Sequence, residues 1–241
     1  MRNEERIVKA VAAALEREKQ VNLYNFPLQL EFADGVLTME GEVEHIMAKK
    51  RALEVAAAIP GVASIVDRVH LSPAEAMTDG EIRERVCKAL LAEEMLGSCA
   101  LWAIVKGRPE VVREAEQGLD GSIDVEVTDG IVILNGVVSS LTAKRLAGVL
   151  AWWVPGSRDV VNGIEEVPTE EDNADEVIDA LRLILEKDPF VNAGQIRVSC
   201  ANDWVTLDGL VKNESERRMA EADAWYLFGV DGVTNRLLVE A

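Results

Sequence analysis

Histidine, cysteine and aromatic side chains are all scarce in this sequence, and each shortage removes a kind of chemistry. There are two histidines, three cysteines and 5% aromatic residues among 241. His45 and His70 lie without companions at ligand spacing, and a metal site needs several convergent ligands. Cys87, Cys99 and Cys200 form no CxxC pair and are odd in number, which argues against a disulfide framework and a four-cysteine zinc site. Cys200 falls at a strand position expected to face the core as an inert thiol. Long apolar runs are missing as well, so no transmembrane helix is expected. The segment after Met1 lacks the apolar core and cleavage site of a secretory signal. The sequence as it stands therefore reads as a soluble, cytoplasmic protein, and as periplasmic if an export signal has been removed. Positive charge is also short: 43 acidic residues face 25 basic ones, a formal net of -18. Phosphate backbones and anionic headgroups are repelled within a screening length of about 8 Å. Nucleic-acid binding is excluded on that ground, and lipid contact requires a local basic or aromatic patch. No GxSxG, HExxH, Walker or GxGxxG pattern occurs, and no carboxylate spacing marks a catalytic pair. No catalytic residue, cofactor or metal is expected, and the chain is read as a binding protein.

What the sequence does contain is apolar residues, at 49%, in a pattern that recurs three times. The anchor reads Asp34-Gly35-Val36-Leu37-Thr38-Met39-Glu40-Gly41, then Asp129-Gly130-Ile131-Val132-Ile133-Leu134-Asn135-Gly136, then Asn202-Asp203-Trp204-Val205-Thr206-Leu207-Asp208-Gly209. A second glycine stands at one fixed offset beyond each closing glycine: Gly61, Gly156 and Gly229. Two anchors in constant register, three times over, identify a tandem repeat.

Each anchor has a physical reading. Leu28, Leu30 and Phe32, then Ile123, Val125 and Val127, then Ile196, Val198 and Cys200 alternate with mostly polar residues, as on a strand with one buried face. The turn pair tolerates the positive φ of a two-residue hairpin, and a second strand follows. Next comes a helix-length segment in which Ala52, Ala147 and Ala220, and Ala56, Ala151 and Ala224, share one face. The late glycine ends that helix, and a last strand carries Ile65 and Val69, Val160 and Ile164, or Val233 and Leu237. An amphipathic helix opens each unit, on Ile7, Val11 and Leu15; Ile82, Val86 and Leu90; or Ile178, Leu181 and Leu185. The expected fold class is α+β: three tandem αββαβ modules, each a three-stranded mixed sheet covered by two helices, with an antiparallel hairpin and a parallel crossover. The modules are placed at 1–73, 78–168 and 174–241, separated by polar linkers in which Asp79 and Asp175 are expected to cap the following helices.

The second module carries about 22 extra residues by the repeat's own register. This insert, near 96–118, contains the apolar run Leu101-Trp102-Ala103-Ile104-Val105, and Pro109 is expected to open a short helix ending at Gly118. The module is complete without it. The insert is therefore expected to act as a brace across a neighbouring repeat or a second subunit.

An αββαβ unit with a turn, a Val-x-Leu-x-Gly strand and a later Pro-Gly-Val before an Asn-bearing strand is similar to the BON domain. Gly35, Gly41 and Pro60-Gly61-Val62 carry the likeness in the first unit; Gly130, Gly136, Pro155-Gly156 and Asn162 in the second; Gly209, Gly229 and Asn235 in the third. Asp203, Phe228 and Ser157 depart from the pattern. The resemblance is to bacterial osmotically induced periplasmic proteins, envelope proteins and domains attached to channels. It implies attachment to phospholipid surfaces or partner proteins in osmotic or envelope stress, with no catalytic residues. It also permits a second reading, a cytosolic stress-response module responsive to small cations such as potassium.

Two repeated features suit binding. Basic pairs stand in register near the start of each second helix: Lys49-Lys50, Lys144-Arg145 and Arg217-Arg218. Near its end stand Trp152-Trp153 and Trp225-Tyr226, where the first unit has Ala57-Ala58. The basic pairs are either a solvated face or a patch for a lipid surface or partner; the aromatics either pack between repeats or meet that same ligand.

Overall fold

A computed structural model describes residues 2–114, 121–169 and 171–240. The repeat appears in the order of elements: α1 (Arg2–Leu15), β1 (Leu28–Ala33), β2 (Val36–Val43), α2 (Ile46–Ala57) and β3 (Ser64–Leu71). The second copy runs α3 (Asp79–Leu91), β4 (Ala100–Val105), β5 (Arg108–Arg113), β6 (Ser122–Thr128), β7 (Ile131–Val138), α4 (Leu141–Trp152) and β8 (Asp159–Glu166). The third runs α5 (Ala174–Lys187), β9 (Ile196–Ala201), β10 (Trp204–Val211), α6 (Glu214–Tyr226) and β11 (Gly232–Val239). In every copy the hairpin is antiparallel and the crossover strand parallel. The three sheets are therefore mixed, with three, five and three strands.

The hairpins close as the turn dipeptides require. Asp34-Gly35, Asp129-Gly130 and Asn202-Asp203 all hold positive φ at both positions, the last with Asn and Asp tolerating what glycine does elsewhere. The closing glycine is needed for a second reason. At Gly136, with φ of 128°, an added Cβ would stand 2.0 Å from the Ser122 carbonyl oxygen; at Gly209 it would stand 2.0 Å from that of Gln195. The second strand must pass this close to the residue that precedes or opens the first, and no L side chain fits.

The five-stranded sheet corrects the reading of the insert. Leu101 to Val105 form β4, which pairs parallel to β6, and Pro109 lies in β5, antiparallel to β4. Lys106 and Gly107 form the hairpin turn between them, both at positive φ. The run thus joins the sheet of its own module, widening it from three strands to five and burying Leu101 and Ala103 there, where a separate brace laid across a neighbouring repeat was expected. No helix begins at Pro109, and Gly118 lies outside the described residues. Helix starts also differ from expectation. Thr78 caps α3 in a reciprocal box with Glu81. Asp79 stands one residue inside and accepts the backbone N–H groups of Asp129 and Gly130, at 3.0 and 2.8 Å. Asn173, not Asp175, caps α5.

The chain divides into two compact units, residues 1–73 and 74–241. The first buries Ile7, Val11 and Leu15 of α1 and Ala52 and Ala56 of α2 against Leu37, Met39 and Val69. In the second, one continuous apolar core joins the second and third copies, because α4 lies against both α5 and α6. The layering is sheet, helices, helices, sheet.

Candidate functional site

The second helices, which carry the basic and aromatic pairs, begin alike. His45, Ser140 and Asn213 accept the backbone N–H three residues on, at 3.1, 3.1 and 2.9 Å. Each thereby satisfies one of the free donors of the first turn. A polar side chain on the third strand then ties the strand to that turn. The Asn162 amide donates to the Lys144 carbonyl at 2.8 Å, Asn235 donates to that of Arg217 at 3.1 Å, and Asp67 accepts the Lys49 ammonium at 3.0 Å. The Asn-bearing strand was visible in the sequence, but Asp67 as its ionic counterpart was not.

These connections use much of the basic set. Lys49 is buried against Asp67. Lys144 is paired with Glu166 at 3.1 Å and lies 4.9 Å above the Phe228 ring, a cation over an aromatic face. Arg145 is 0% exposed: its Nε donates to the Phe228 carbonyl at 2.9 Å and an Nη to Asp172 at 2.7 Å. Its other terminal nitrogen has no partner among the described residues. Gly229 permits this approach, since a Cβ there would lie 3.0 Å from the guanidinium. Lys50 is half-buried, Arg217 lies beside Glu214, and Arg218 is the most open of the six, with 74% of its side chain exposed.

The aromatic pairs meet each other. Trp152 stacks on Tyr226 with centroids 5.2 Å apart and planes 16° from parallel. The Trp153 indole donates to Asp223 at 2.8 Å, and Trp225 is buried. Trp152, Trp153 and Tyr226 form, together with Arg145, the seam between the second and third copies, and Lys187 adds an ion pair to Glu93 at 2.8 Å. The composition of α4 held a signal for this seam. Leu-Thr-Ala-Lys-Arg-Leu-Ala-Gly-Val-Leu-Ala-Trp has hardly any polar side, and a helix apolar all round is one that is covered all round.

The seam also holds the most perturbed acid. Asp223 is 2% exposed and its second carboxylate oxygen meets no donor. Burial pushes its carboxyl up to about 8, against the Trp153 hydrogen bond, while the neighbouring Asp188 pushes the same way as burial. Burial likewise raises Tyr226 to about 12 and the Cys87 thiol to about 11, which leaves that thiol protonated and unreactive. Among the described residues no three histidine, cysteine or carboxylate side chains gather as a metal site. No described helix is long and apolar enough to cross a membrane. A shallow groove of about 380 Å³ between α3 and the β4–β5 hairpin is lined by Leu91, Val105 and Val112 with Arg83 and Lys88. Cys87, Glu84 and Glu110 also line it, and burial holds the Cys87 thiol in its unreactive protonated form.

Osmotically-inducible protein Y of Escherichia coli strain K12 is 25% identical over 157 residues, covering 65% of this chain and 69% of that protein. Two solved structures of CdsD, a structural protein of the type III secretion system of Chlamydia trachomatis, align with 98% of this chain. The first, its C-terminal domain, aligns over 98% of its own length at 16% identity and a TM-score of 0.25; the second over 93% at 17% and 0.24. The family model described as the BON domain matches residues 3–73, 114–168 and 173–241. With three such matches spanning most of its length, the chain belongs to the BON domain family.

Proposed function

We propose that this protein is a non-catalytic attachment protein that holds a protein partner, acting in osmotic or envelope stress. The observation that carries the reading is where the charged and aromatic groups of the second helices go. Arg145, Lys49, Trp152, Trp153 and Tyr226 are occupied by internal partners and Trp225 is buried, leaving Arg217 and Arg218 as the more outward basic pair. A net charge of -18 repels an anionic bilayer, and so small a basic remnant offsets little of it. The stress context is supported by the family and by the name of the relative Osmotically-inducible protein Y. Attachment to phospholipid through Arg217 and Arg218 is the competing outcome.

Flotation with neutral and phosphatidylglycerol-containing vesicles at low salt separates the two. The expected result is that the protein stays at the bottom of the gradient with both. Flotation with anionic vesicles, abolished by Arg217→Glu and Arg218→Glu, overturns the protein-partner reading in favour of phospholipid.

A further inference from the structure

The five-stranded sheet has helices on one face only, and its other face is unlike those of the two smaller sheets. Val125, Val132 and Leu134 point to the core, so their strand neighbours point outward. The register sets two transverse rows on that open face. One runs Val111, Trp102, Asp124, Asn135, Gly163; the next runs Pro109, Ile104, Glu126, Ile133, Val161. Val111 and Val161 are 52% and 51% exposed, at opposite margins. Two carboxylates therefore sit in the middle of an aliphatic and aromatic surface. In the smaller sheets the Asp124 position holds Gln29 or Arg197 and the Glu126 position holds Glu31 or Ser199, while the acids at the Asn135 position have basic neighbours. Glu40 lies 3.4 Å from Arg68, and Asp208 stands in register between Arg197 and Arg236. Asp124 stands between Trp102 and Asn135, and Glu126 between Ile104 and Ile133.

We propose that this open face docks a basic amphipathic helix of a partner protein. The inference rests on the attachment reading above and adds the chemistry of the partner. Charge decides among occupants. A second copy laid face to face, or an anionic bilayer, brings negative charge against Asp124 and Glu126, whereas lysine or arginine flanked by aliphatic side chains complements both parts of the surface. Backbone chemistry decides the partner's conformation. The ladder hydrogen bonds within a sheet are already made, so an extended peptide lying across the face would leave its own N–H and C=O groups unpaired, while a helix satisfies them internally. Size agrees. Five strands at about 4.8 Å spacing give a face roughly 20 Å wide, enough for a helix about 10 Å across.

The test uses the full chain and a fluorescent synthetic helix of about 18 residues, with leucine at helical spacing and lysine beside it. Binding is read by anisotropy at roughly physiological salt. Asp124→Lys with Glu126→Lys is expected to weaken binding by at least about tenfold and to create binding of the matching leucine and glutamate helix. That gain is one a misfolded protein does not produce. Glu84→Lys with Glu94→Lys, the same charge change off the face, is expected to alter affinity by less than about twofold. A lysine peptide of scrambled order is expected to bind at least about tenfold more weakly. Equal weakening by the off-face variant, absence of binding to the wild-type chain, or self-association or phosphatidylglycerol binding that the face variant abolishes would each overturn the proposal. Failure of the helix to bind while the protein still ignores vesicles removes the face and leaves the attachment reading standing.

Discussion

Asp223 makes the stability of the second unit depend on pH in a direction opposite to that of most carboxylates. Its ordinary value of 3.8 is that of the unfolded chain, and in the folded seam it rises to about 8. The folded state therefore holds a proton that the unfolded state releases. Its contribution to stability is fully present below pH 3.8, falls as pH rises through about 8, and is level above that. Each pH unit inside the window withdraws at most about 1.4 kcal/mol, so raising pH from about 5 to about 8 should remove about 2 to 4 kcal/mol. Asp223→Asn keeps a carbonyl oxygen for the Trp153 indole, turns an NH2 toward Asp188, and has nothing to ionise. Urea unfolding followed by tryptophan fluorescence, at matched pH values from about 5 to 9, should show the variant gaining on the wild type by that amount up to pH 8 and no further. A difference between the two that stays constant across the range would refute the argument, because it would mean that Asp223 ionises alike in both states.

Other perturbations follow from the same geometry. Asp172→Ala leaves the Arg145 guanidinium buried with one carbonyl acceptor and should cost about 3 to 5 kcal/mol; Arg145→Met leaves only the half-exposed Asp172 carboxylate behind and should cost less. The reverse order of urea midpoints would contradict this account of the seam. Gly136→Ala places a methyl group on the Ser122 carbonyl oxygen, and the repeat should fail to fold. Gly107→Ala, in open space at φ of 72°, should lower stability by only about 1 to 2 kcal/mol, and soluble yield with circular dichroism distinguishes the two. His45→Ala removes the cap of α2 and should speed hydrogen exchange of its first-turn amides, at a cost of about 1 kcal/mol. His45→Ser, which reproduces Ser140, should restore protection.

The elements of each module were legible because their determinants are local. Asp34-Gly35 and Asp129-Gly130 dictate a turn wherever they stand, and Gly41, Gly136 and Gly209 mark the strand that crosses too close to its partner for a side chain. Lys106-Gly107 between two β-branched runs belongs to the same class of signal. The helix-opening preference of proline obscured it at Pro109, which stands opposite Ile104 in an edge strand. The seam was harder to see for a different reason. Arg145 occupies the same repeat position as Lys50 and Arg218, both of them surface residues of ordinary appearance, and its partners Asp172 and Phe228 are far along the chain. Repeat register identifies equivalent faces, but not which of them turns inward. The open face of the five-stranded sheet was unreadable until the insert was seen to be two strands, since Trp102 and Ile104 acquire a common side with Asp124 and Glu126 only through the β4–β6 pairing.

Because α4 of the second copy packs against α5 and α6 of the third, the helices lie between the sheets of the two copies. Sheet to helix, helix to helix and helix to sheet are each separated by about 10 Å, so the outer surfaces stand roughly 30 Å apart. Anything held on one side is kept at that distance from anything held on the other, across a seam fixed by Arg145 and stacked aromatics rather than by a pliable linker. In mechanical terms the pair is a spacer, with the gap between its two ends set by side-chain packing.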